Sequence, residues 1–236
     1  MGYPSVWSDF IFSSFFGPAP FPAMTMSVFF EMLPLMSAPY SFRSWARASL
    51  TGNLSKVPVM NFYAGIAEAM MVAFGTASSS ATLPLTIACC EKRGISHKVS
   101  SFVLPLGATL NMDASALFQV VAVIFLMQAY GVVLEPIQII QISALALIAS
   151  STCAGIPGAG LITIALILNG LGLTPNQLVQ GFAFLFAVDR LVDMLRSMNN
   201  VTSDAVIAAI IADNENEINY DLLNNTIQYW NSGYTN

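Results

Sequence analysis

The sequence contains little charge, a single histidine and few cysteines. Only 9% of its 236 residues are Asp, Glu, Lys or Arg, whereas a soluble domain carries about 25%. The uncharged stretches are long: 22 residues separate Glu68 from Glu91, 21 separate Asp113 from Glu135, and 53 separate Glu135 from Asp189. Because about 20 apolar residues span a bilayer, this pattern predicts an integral membrane protein. It excludes a water-soluble enzyme, a nucleic-acid binder and a disordered chain.

The cysteines and the histidine offer no reactive site of their own. Cys89 and Cys90 are adjacent and Cys153 lies alone in an apolar run, so none has the spacing of metal ligands. The only histidine, His97, lies in a charged loop. A serine hydrolase needs a base beside its serine and would depend wholly on that loop. We therefore expect no enzyme activity.

Both ends of the chain differ from its middle. Residues 1–57 include an uncharged aromatic-rich stretch, 11–30, which is long enough for one membrane helix but is interrupted by Pro18, Pro20 and Pro22. The role of this segment stays open. The net charge of −5 comes largely from four acidic residues between 213 and 221. This pattern indicates an acidic, solvated tail over residues 213–236 rather than a binding device.

Two apolar segments are interrupted in the middle by residues that break helices. Residues 59–93 contain Gly-Thr-Ala-Ser-Ser-Ser at 75–80, and residues 137–170 contain a Ser-, Gly- and Pro-rich stretch at 150–160. The flanks of the first break are too short for a comfortable membrane span, which predicts a re-entrant helical hairpin. The second break would also suit a linker between two ordinary helices. Irregular backbone at membrane depth needs protein or a water-filled cavity around it, so the breaks favour a cavity.

Each interrupted segment is followed by a long helix candidate that carries polar residues. The first covers residues 99–130 and is interrupted at 111–113, and the second covers 177–212. Paired interrupted segments in two halves are a pointer to a transporter site. We predict an all-α membrane protein, with two re-entrant hairpins and two long interrupted helices forming an inverted-repeat transport core. Residues 58–212 would form this transport domain.

Asp113 is an ionisable residue in the middle of an apolar segment. Such residues are costly within a membrane and mark functional sites. A structural alternative is a partner on a neighbouring helix that holds the bundle together. The functional interpretation is a cation ligand, since carboxylate and carbonyl oxygens suit hard cations. An unwound turn over Gly107, Thr109 and Asn111 would add backbone carbonyls.

Polar residues collect on one face of the last long helix. One interpretation is a chain of intrahelical salt bridges. The other is a cavity wall that binds a zwitterion, with Arg196 holding a carboxylate and Asp193 an ammonium. Short helices converging on Ser78-Ser79-Ser80 would present N–H groups to a second carboxylate. The residues of this face follow helical spacing, and Arg190 falls outside it: Asp189, Asp193, Arg196, Asn200 and Asp204, with Ser197 beside Arg196.

Four motifs in this order resemble one protein family. The chain is similar over about residues 57–212 to the dicarboxylate/amino acid:cation symporters, which include the excitatory amino-acid transporters and bacterial glutamate/aspartate symporters. The motifs are Ser78-Ser79-Ser80-Ala81-Thr82-Leu83-Pro84, Phe102 to Thr109 leading to Asn111-Met112-Asp113, Ala154-Gly155-Ile156-Pro157-Gly158-Ala159-Gly160, and Asp189 through Asp204.

The resemblance implies a substrate site for an acidic amino acid. Ser79 and neighbouring backbone would receive the α-carboxylate, Asp193 the amino group and Arg196 the side-chain carboxylate. Asn200 would contact the α-carbon end, and Ser115 stands where the family usually has a threonine. Ser78, Ile156, Gly160 and Ser197 complete the implied substrate set. Neutral amino-acid exchange is a further alternative, which Arg196 disfavours.

The resemblance also implies co-transported sodium ions. One ion would use Gly107, Asn111, Asn200 and Asp204. A second would use Thr109, Met112 and carbonyls around Ser150, Ser151 and Cys153, and a third Asp113 with Asn111. Two departures touch this region: the family's usual Gly-Thr after the aspartate is Ala114-Ser115, and the glycine before the last aspartate is Ser203.

The resemblance implies a mechanism and partners as well. The hairpins would be two gates of a unit that moves as an elevator through a trimeric scaffold in the plasma membrane. The scaffold helices have no convincing counterpart in residues 1–57, so a homotrimer is expected once a scaffold is supplied. The alternative is a truncated, non-transporting relative that binds substrate or associates with full-length subunits.

Overall fold

The computed structural model describes residues 59–152 and 155–224. Three predictions fall outside these residues: the membrane helix within 1–57, the role of Cys153 and the end of the acidic tail. All regular elements of the described residues are helices, apart from one isolated antiparallel bridge between Ile95 and Ile218. The all-α prediction is therefore confirmed for the described part of the chain.

Eight helices follow one another along the described residues. Five of them have between 12 and 17 residues, one has 5, and two others have 18 and 40. They are α1 (Val59–Thr76), α2 (Ser79–Lys92), α3 (His97–Leu110), α4 (Asp113–Ala129), α5 (Pro136–Ser151), α6 (Ala159–Gly170), α7 (Pro175–Asn214) and α8 (Tyr220–Asn224).

The predicted interruptions lie at the breaks between consecutive helices. Ala77, with a φ of 52°, separates α1 from α2, and the Ser78 hydroxyl caps α2 by accepting the N–H of Ala81 at 3.1 Å. Asn111 and Met112 separate α3 from α4. Gly158, with a φ of 77°, precedes α6. Two helices on either side of each polar break are thus confirmed, and their re-entrant depth stays a prediction.

The second long helix differs from its prediction. We expected two long interrupted helices, but α7 is continuous over 40 residues. Its sequence explains the difference, because the only proline, Pro175, is its first residue and the only glycine, Gly181, lies near its beginning. Polar side chains alone do not break a helix, since they leave the backbone hydrogen bonds intact.

The described residues fall into two compact units. The first contains residues 113–152 and 158–192, and its core is aliphatic and aromatic. Phe125 of α4 stacks on Phe184 of α7 with 5.4 Å between ring centroids. Leu126, Ile164 and Leu185 are fully buried around them. Lipid is as apolar as these side chains, so their packing is stabilised by van der Waals contact rather than by removal from water. This unit is held mainly by apolar packing.

The second unit contains residues 59–112, 155–157 and 193–224. Phe62 and Ile66 of α1 and Leu104 of α3 form its apolar core together with the last part of α7. The buried positions of α7 are mostly small, and they repeat every three to four residues as expected for one helix face: Val201, Ala205, Ala208, Ala209 and Ala212. Small side chains allow neighbouring backbones to approach closely, as in membrane helix packing.

Residues 217–219, here called the strap, follow α7 and bind to the loop between α2 and α3. The N–H of Ser96 donates to the carbonyl of Glu217 at 2.9 Å, and the N–H of Asn219 donates to the carbonyl of Gly94 at 2.8 Å. The ammonium of Lys98 donates to the Glu217 carboxylate at 3.1 Å and keeps the pKa of Glu217 below its usual value. The strap fastens the chain beyond α7 to the second unit.

The apolar surface of the described helices agrees with a membrane setting. Many large apolar side chains of α5, α6 and α7 are exposed, among them Ile148, Leu166 and Phe186. Among the described residues, the run His97–Ala129 is the one that is long and apolar enough to cross a bilayer, with 33 residues and a mean hydropathy of 1.8 over an 18-residue window. Both observations rest on length and composition.

The strap predicts a specific sensitivity at Gly94. A Cβ on Gly94 would lie 2.3 Å from the carbonyl oxygen of Asn219, and the φ of Gly94 is +87°. We expect Gly94→Ala to lower the midpoint of thermal unfolding in detergent and to speed hydrogen exchange at the Ser96 and Asn219 amides. The backbone strain alone costs about 1–3 kcal/mol, and the clash adds to it. Gly131→Ala is the matched control, because Gly131 has a φ of +74° but no atom within 4 Å of its Cβ position. Equal effects of the two changes would contradict the strap.

Candidate functional site

The last helix buries an ion pair in the second unit. Nη2 of Arg196 donates to Oδ1 of Asp193 at 2.8 Å, and the two residues are 4% and 8% exposed. A spacing of three residues brings them together on α7. A buried charge costs several kcal/mol unless a partner compensates it, so each group stabilises the other. The salt-bridge interpretation is confirmed for this pair, and the same geometry places one cation beside one anion.

The polar face of α7 is turned inward, as predicted. Besides the ion pair, Ser197, Asn200 and Asp204 are all buried in the second unit, whereas Arg190 is exposed. Asp189, the remaining member of the predicted face, is buried in the first unit. A carboxylate, an amide and a hydroxyl are therefore held away from water near the ion pair, as a binding site for a polar ligand requires.

The first tip, residues 77–80 at the junction of α1 and α2, contacts the second tip, residues 155–157 between α5 and α6. The Ser78 hydroxyl donates to the carbonyl of Gly155 at 2.6 Å, and the N–H of Ser80 donates to the same carbonyl at 3.3 Å. Ser79 is buried, and its hydroxyl donates to the Ala108 carbonyl at 3.5 Å. The serines predicted to bind a carboxylate thus lie at the N-terminus of α2, where backbone N–H groups and the helix dipole favour an anion.

Gly155 permits this contact because it has no side chain. A Cβ at this position would lie 2.4 Å from the Ser79 hydroxyl and 2.6 Å from the Ser80 hydroxyl. Next to it, Ile156 is 56% exposed. Close approach of two backbones is a common reason for a glycine. The two tips touch each other in the second unit only because this position is glycine.

Five of the predicted sodium ligands lie together in the second unit. Nδ2 of Asn111 donates to Oδ1 of Asp204 at 2.8 Å, and the N–H of Asn111 donates to the carbonyl of Gly107 at 2.9 Å. A Cβ on Gly107 would lie 2.6 Å from Oδ1 of Asp204, so α3 and α7 are in close contact there. Nδ2 of Asn200 lies 3.6 Å from Sδ of Met112. The group presents amide, carboxylate and carbonyl oxygens, the ligands that hard cations prefer.

The other predicted sodium ligands are one residue of the second unit and three of the first, with Cys153 besides. Thr109 is exposed, and its hydroxyl donates to the Leu106 carbonyl at 3.0 Å within α3. In the first unit Asp113 is the half-buried first residue of α4. Ser150 is buried and Ser151 exposed, and each hydroxyl donates to the carbonyl of Leu147 at 2.9 Å. Cys153 lies outside the described residues. Their roles stay predictions.

Two predicted substrate residues also belong to the first unit. Ser115 is buried in the first turns of α4, and Gly160 is buried at the beginning of α6. The Gly160 carbonyl accepts the Thr163 hydroxyl at 2.8 Å. Their roles in substrate binding stay predictions too.

Two residues of the site were not among those predicted to bind. Gly155 connects the two tips, and Ser203 accepts a hydrogen bond from the Asn111 amide at 2.8 Å. The helix-breaking composition of residues 150–160 indicates Gly155 in the sequence, but its hydrogen-bond partner Ser78 is 77 residues away. Ser203 was noted in the sequence as a departure from the family's usual glycine, without a role. The contacts of both residues were found only from the structure.

A groove on α1 lies apart from these residues. It encloses about 700 Å³ in the second unit. Its wall is mostly apolar, with three charged side chains, and it includes Ala64, Met71, Glu68, Lys92 and Arg93. None of the predicted site residues lines it, so its size does not make it the substrate site.

Comparison with known proteins identifies the family that contains these residues. Residues 26–214 match the sodium:dicarboxylate symporter family. The chain belongs to this family. The match begins upstream of residue 57, where the resemblance in the sequence begins, and it includes the ion pair, both tips and the Asn111–Asp204 group. The family consists of sodium-coupled membrane transporters rather than enzymes, which agrees with the expected lack of enzyme activity.

Curated members of the family are similar to about two thirds of the chain. Human excitatory amino acid transporter 2 is 47% identical over 152 residues, which are 64% of this chain and 26% of the relative. A putative sodium-dependent excitatory amino acid transporter of Caenorhabditis elegans is 43% identical over 153 residues, 64% of this chain and 30% of the relative. Human excitatory amino acid transporter 1 is 41% identical over 172 residues, 72% of this chain and 30% of the relative. The chain thus covers between a quarter and a third of the length of these relatives.

The contact between the tips predicts the effect of a single methyl group. Gly155→Ala would place a Cβ against the hydroxyls of Ser79 and Ser80, so we expect the tips to separate. The Ser80 amide, which donates to the Gly155 carbonyl, should then exchange its hydrogen about tenfold faster or more, since about 1.4 kcal/mol corresponds to a factor of ten. Gly75→Ala serves as the control, because the Cβ position of Gly75 has no atom within 4 Å. Unchanged exchange at Ser80 in Gly155→Ala would refute the contact.

Proposed function

We propose that the chain is the substrate- and sodium-binding part of a sodium-coupled symporter for glutamate or aspartate. Residues 58–212 form its transport domain, and residues 213–236 form a polar tail. The buried ion pair of Asp193 and Arg196 is the observation that carries the proposal. The family match supports sodium coupling and transport in general.

The ion pair suits a ligand that carries both signs of charge. Arg196 can hold the side-chain carboxylate of the substrate with two parallel hydrogen bonds, and Asp193 can accept its ammonium. Each side chain then replaces one ionic partner by another, so no buried charge is left uncompensated. Asn200, one turn beyond Arg196 on the same buried face, supplies amide hydrogen-bonding groups to the α-carbon end of the substrate.

The tip of the first hairpin suits the second carboxylate of the substrate. Ser78 and Ser79 lie at the N-terminus of α2, and the first N–H groups of a helix have no partner within it. Each such N–H favours an anion, and the helix dipole adds to the effect. The Ser78 hydroxyl now donates to Gly155, so a bound carboxylate would compete with the contact between the tips. Opening and closing of this contact is therefore the proposed gate.

Sodium is proposed to bind where α3 ends beside α7. Asp204 supplies a buried carboxylate, and Asn111 and Asn200 supply amide groups. The break at residues 111–112 leaves carbonyl groups without helical partners, and Gly107 lets α3 approach the Asp204 carboxylate. Oxygen ligands of this kind suit a hard monovalent cation.

The transport cycle and the assembly rest on the family membership. We propose an elevator-type movement of this domain with the two hairpins as gates, in a multi-pass protein of the plasma membrane. A homotrimeric scaffold is the proposed partner of this domain. The breaks between α1 and α2 and between α5 and α6 support the hairpin part of this mechanism.

A second candidate is a non-transporting relative that binds the substrate or associates with full-length subunits. It requires only the binding site of the second unit, with its buried ion pair. The binding site is the same in both candidates, and they differ in whether substrate crosses the membrane.

Uptake and binding of radiolabelled aspartate test the first candidate. The full chain in proteoliposomes is expected to accumulate aspartate with an inward sodium gradient, and not when potassium replaces sodium outside. The same protein in detergent is expected to bind aspartate only when sodium is present. Absence of both uptake and sodium-linked binding would overturn the proposal.

The two candidates give different results in a paired measurement. Sodium-linked binding without uptake favours the non-transporting relative. Co-purification of the tagged chain with a full-length family member then indicates association, whereas a monodisperse monomer indicates a chain that only binds substrate. Competition of serine or alanine with aspartate at equal concentrations would indicate a neutral amino-acid exchanger.

Replacing the guanidinium tests the assignment of the charges. We expect Arg196→Cys to weaken aspartate binding about 30-fold or more, because truncating one partner of a buried charge pair costs about 2–5 kcal/mol. Binding of serine, which lacks the second carboxylate, should be retained. Arg190→Cys is the matched control, since Arg190 is exposed on the same helix, and it should leave both affinities unchanged. Equal losses for aspartate and serine in Arg196→Cys would count against the proposed role of Arg196.

A further inference from the structure

Asn111 is held by two side chains of α7. Its Nδ2 donates to Oγ of Ser203 and to Oδ1 of Asp204, each at 2.8 Å. Ser203 is 1% exposed and Asp204 3% exposed. Asn111 itself lies in the two-residue break between α3 and α4, where its N–H donates to the Gly107 carbonyl at the end of α3. These side-chain contacts fasten the break to α7.

The chemistry of the partners determines which way the Asn111 amide faces. A carboxylate only accepts hydrogen bonds, so the NH₂ side of the amide must face Asp204. The NH₂ group has two hydrogens in the amide plane, and the second one is directed to Ser203. The carbonyl oxygen Oδ1 is therefore on the opposite branch of the same plane, directed away from both α7 partners.

One hydrogen bond would leave the plane of the amide free. The terminal torsion of an asparagine side chain is broad, so a single bond to Asp204 allows the amide to swing about that contact. A second bond to a different residue defines the plane and with it the direction of Oδ1. Ser203 supplies this second bond, where the resembled family usually has a glycine that offers no hydroxyl.

We propose that Ser203 is a positioning residue of the sodium site, which fixes the Asn111 amide through the paired Nδ2 hydrogen bonds and thereby holds the Asp204 carboxylate in place for the cation. This rests on the proposed role of Asn111 and Asp204 in sodium binding. Groups that orient the ligands of an ion typically change its affinity 10- to 100-fold when they are removed. Sodium is held more weakly than the transition metals behind that range, so the lower end applies here.

The proposal predicts a separation of two measured quantities. In Ser203→Ala, the sodium concentration at half-maximal aspartate binding should rise about tenfold. The aspartate affinity at saturating sodium should stay within twofold of the unchanged chain, because Ser203 contacts Asn111 rather than the substrate groups. A purely structural role of the hydroxyl would lower the thermal midpoint and both affinities together.

The neighbouring threonine is a matched control. Thr202 is 4% exposed on the same helix, and its hydroxyl donates to the Met198 carbonyl at 2.7 Å. Thr202→Val removes a buried hydroxyl beside Ser203 with little change in volume and leaves the contacts of Asn111 intact. We expect no change in its sodium midpoint.

The experiment measures aspartate binding by the full chain in detergent over a range of sodium concentrations. The chain without substitutions, Ser203→Ala and Thr202→Val are compared, and the thermal midpoint of each is recorded. A raised sodium midpoint in Ser203→Ala alone, with the aspartate affinity and thermal midpoint retained, supports the proposal. An unchanged sodium midpoint in Ser203→Ala overturns it while the proposed function stands. Absence of sodium-linked binding in the unsubstituted chain overturns both.

Discussion

The burial of charge in an apolar protein is the constraint on which the second unit depends. Asp193, Arg196 and Asp204 are all nearly inaccessible to water, and a charge in such a place must find compensation within the protein. Asp193 and Arg196 compensate each other on one helix. Asp204 of α7 instead accepts a hydrogen bond from the Asn111 amide, which lies in the break between α3 and α4. These polar contacts lie beside the small-residue face of α7 that packs into the apolar core. The polar site and the packing of the unit are therefore parts of the same helix contact.

The same need for compensation of buried polar groups applies to the backbone at the breaks between helices. A helix that ends leaves N–H or carbonyl groups without partners, and burial makes such groups costly. At the first tip, the Ser78 hydroxyl caps α2 and also donates to the Gly155 carbonyl. At the break between α3 and α4, the N–H of Asn111 donates to the carbonyl of Gly107. Each break thus satisfies part of its own backbone and leaves the remaining groups for other partners, which is why interrupted helices can surround a polar ligand.

The sequence predicted local features well and distant contacts poorly. The helix breaks at residues 77–78 and 111–112 follow from short-range chemistry, and so does the ion pair, because a spacing of three residues on a helix brings two side chains together. An interruption of the last helix was predicted wrongly, since its polar residues leave the backbone hydrogen bonds of α7 intact. The contacts of Ser78 with Gly155 and of Asn111 with Ser203 join residues 77 and 92 positions apart. Such pairs depend on how the helices pack, and no local pattern encodes that packing.

The charges of the site supply a reason for the proposed coupling of sodium to an acidic substrate. Asp193 and Arg196 cancel, so an acidic amino acid, with two carboxylates and one ammonium, would add one negative charge to a unit that already buries Asp204. Two negative charges about 12 Å apart in an effective dielectric constant of about 20 repel by about 1.4 kcal/mol, which is roughly a factor of ten in affinity. A cation beside Asp204 would remove this repulsion, so electrostatics alone would make each ligand favour the other. A neutral amino acid would add no net charge and would gain little from the same ion, which connects Arg196 with the proposed dependence on sodium.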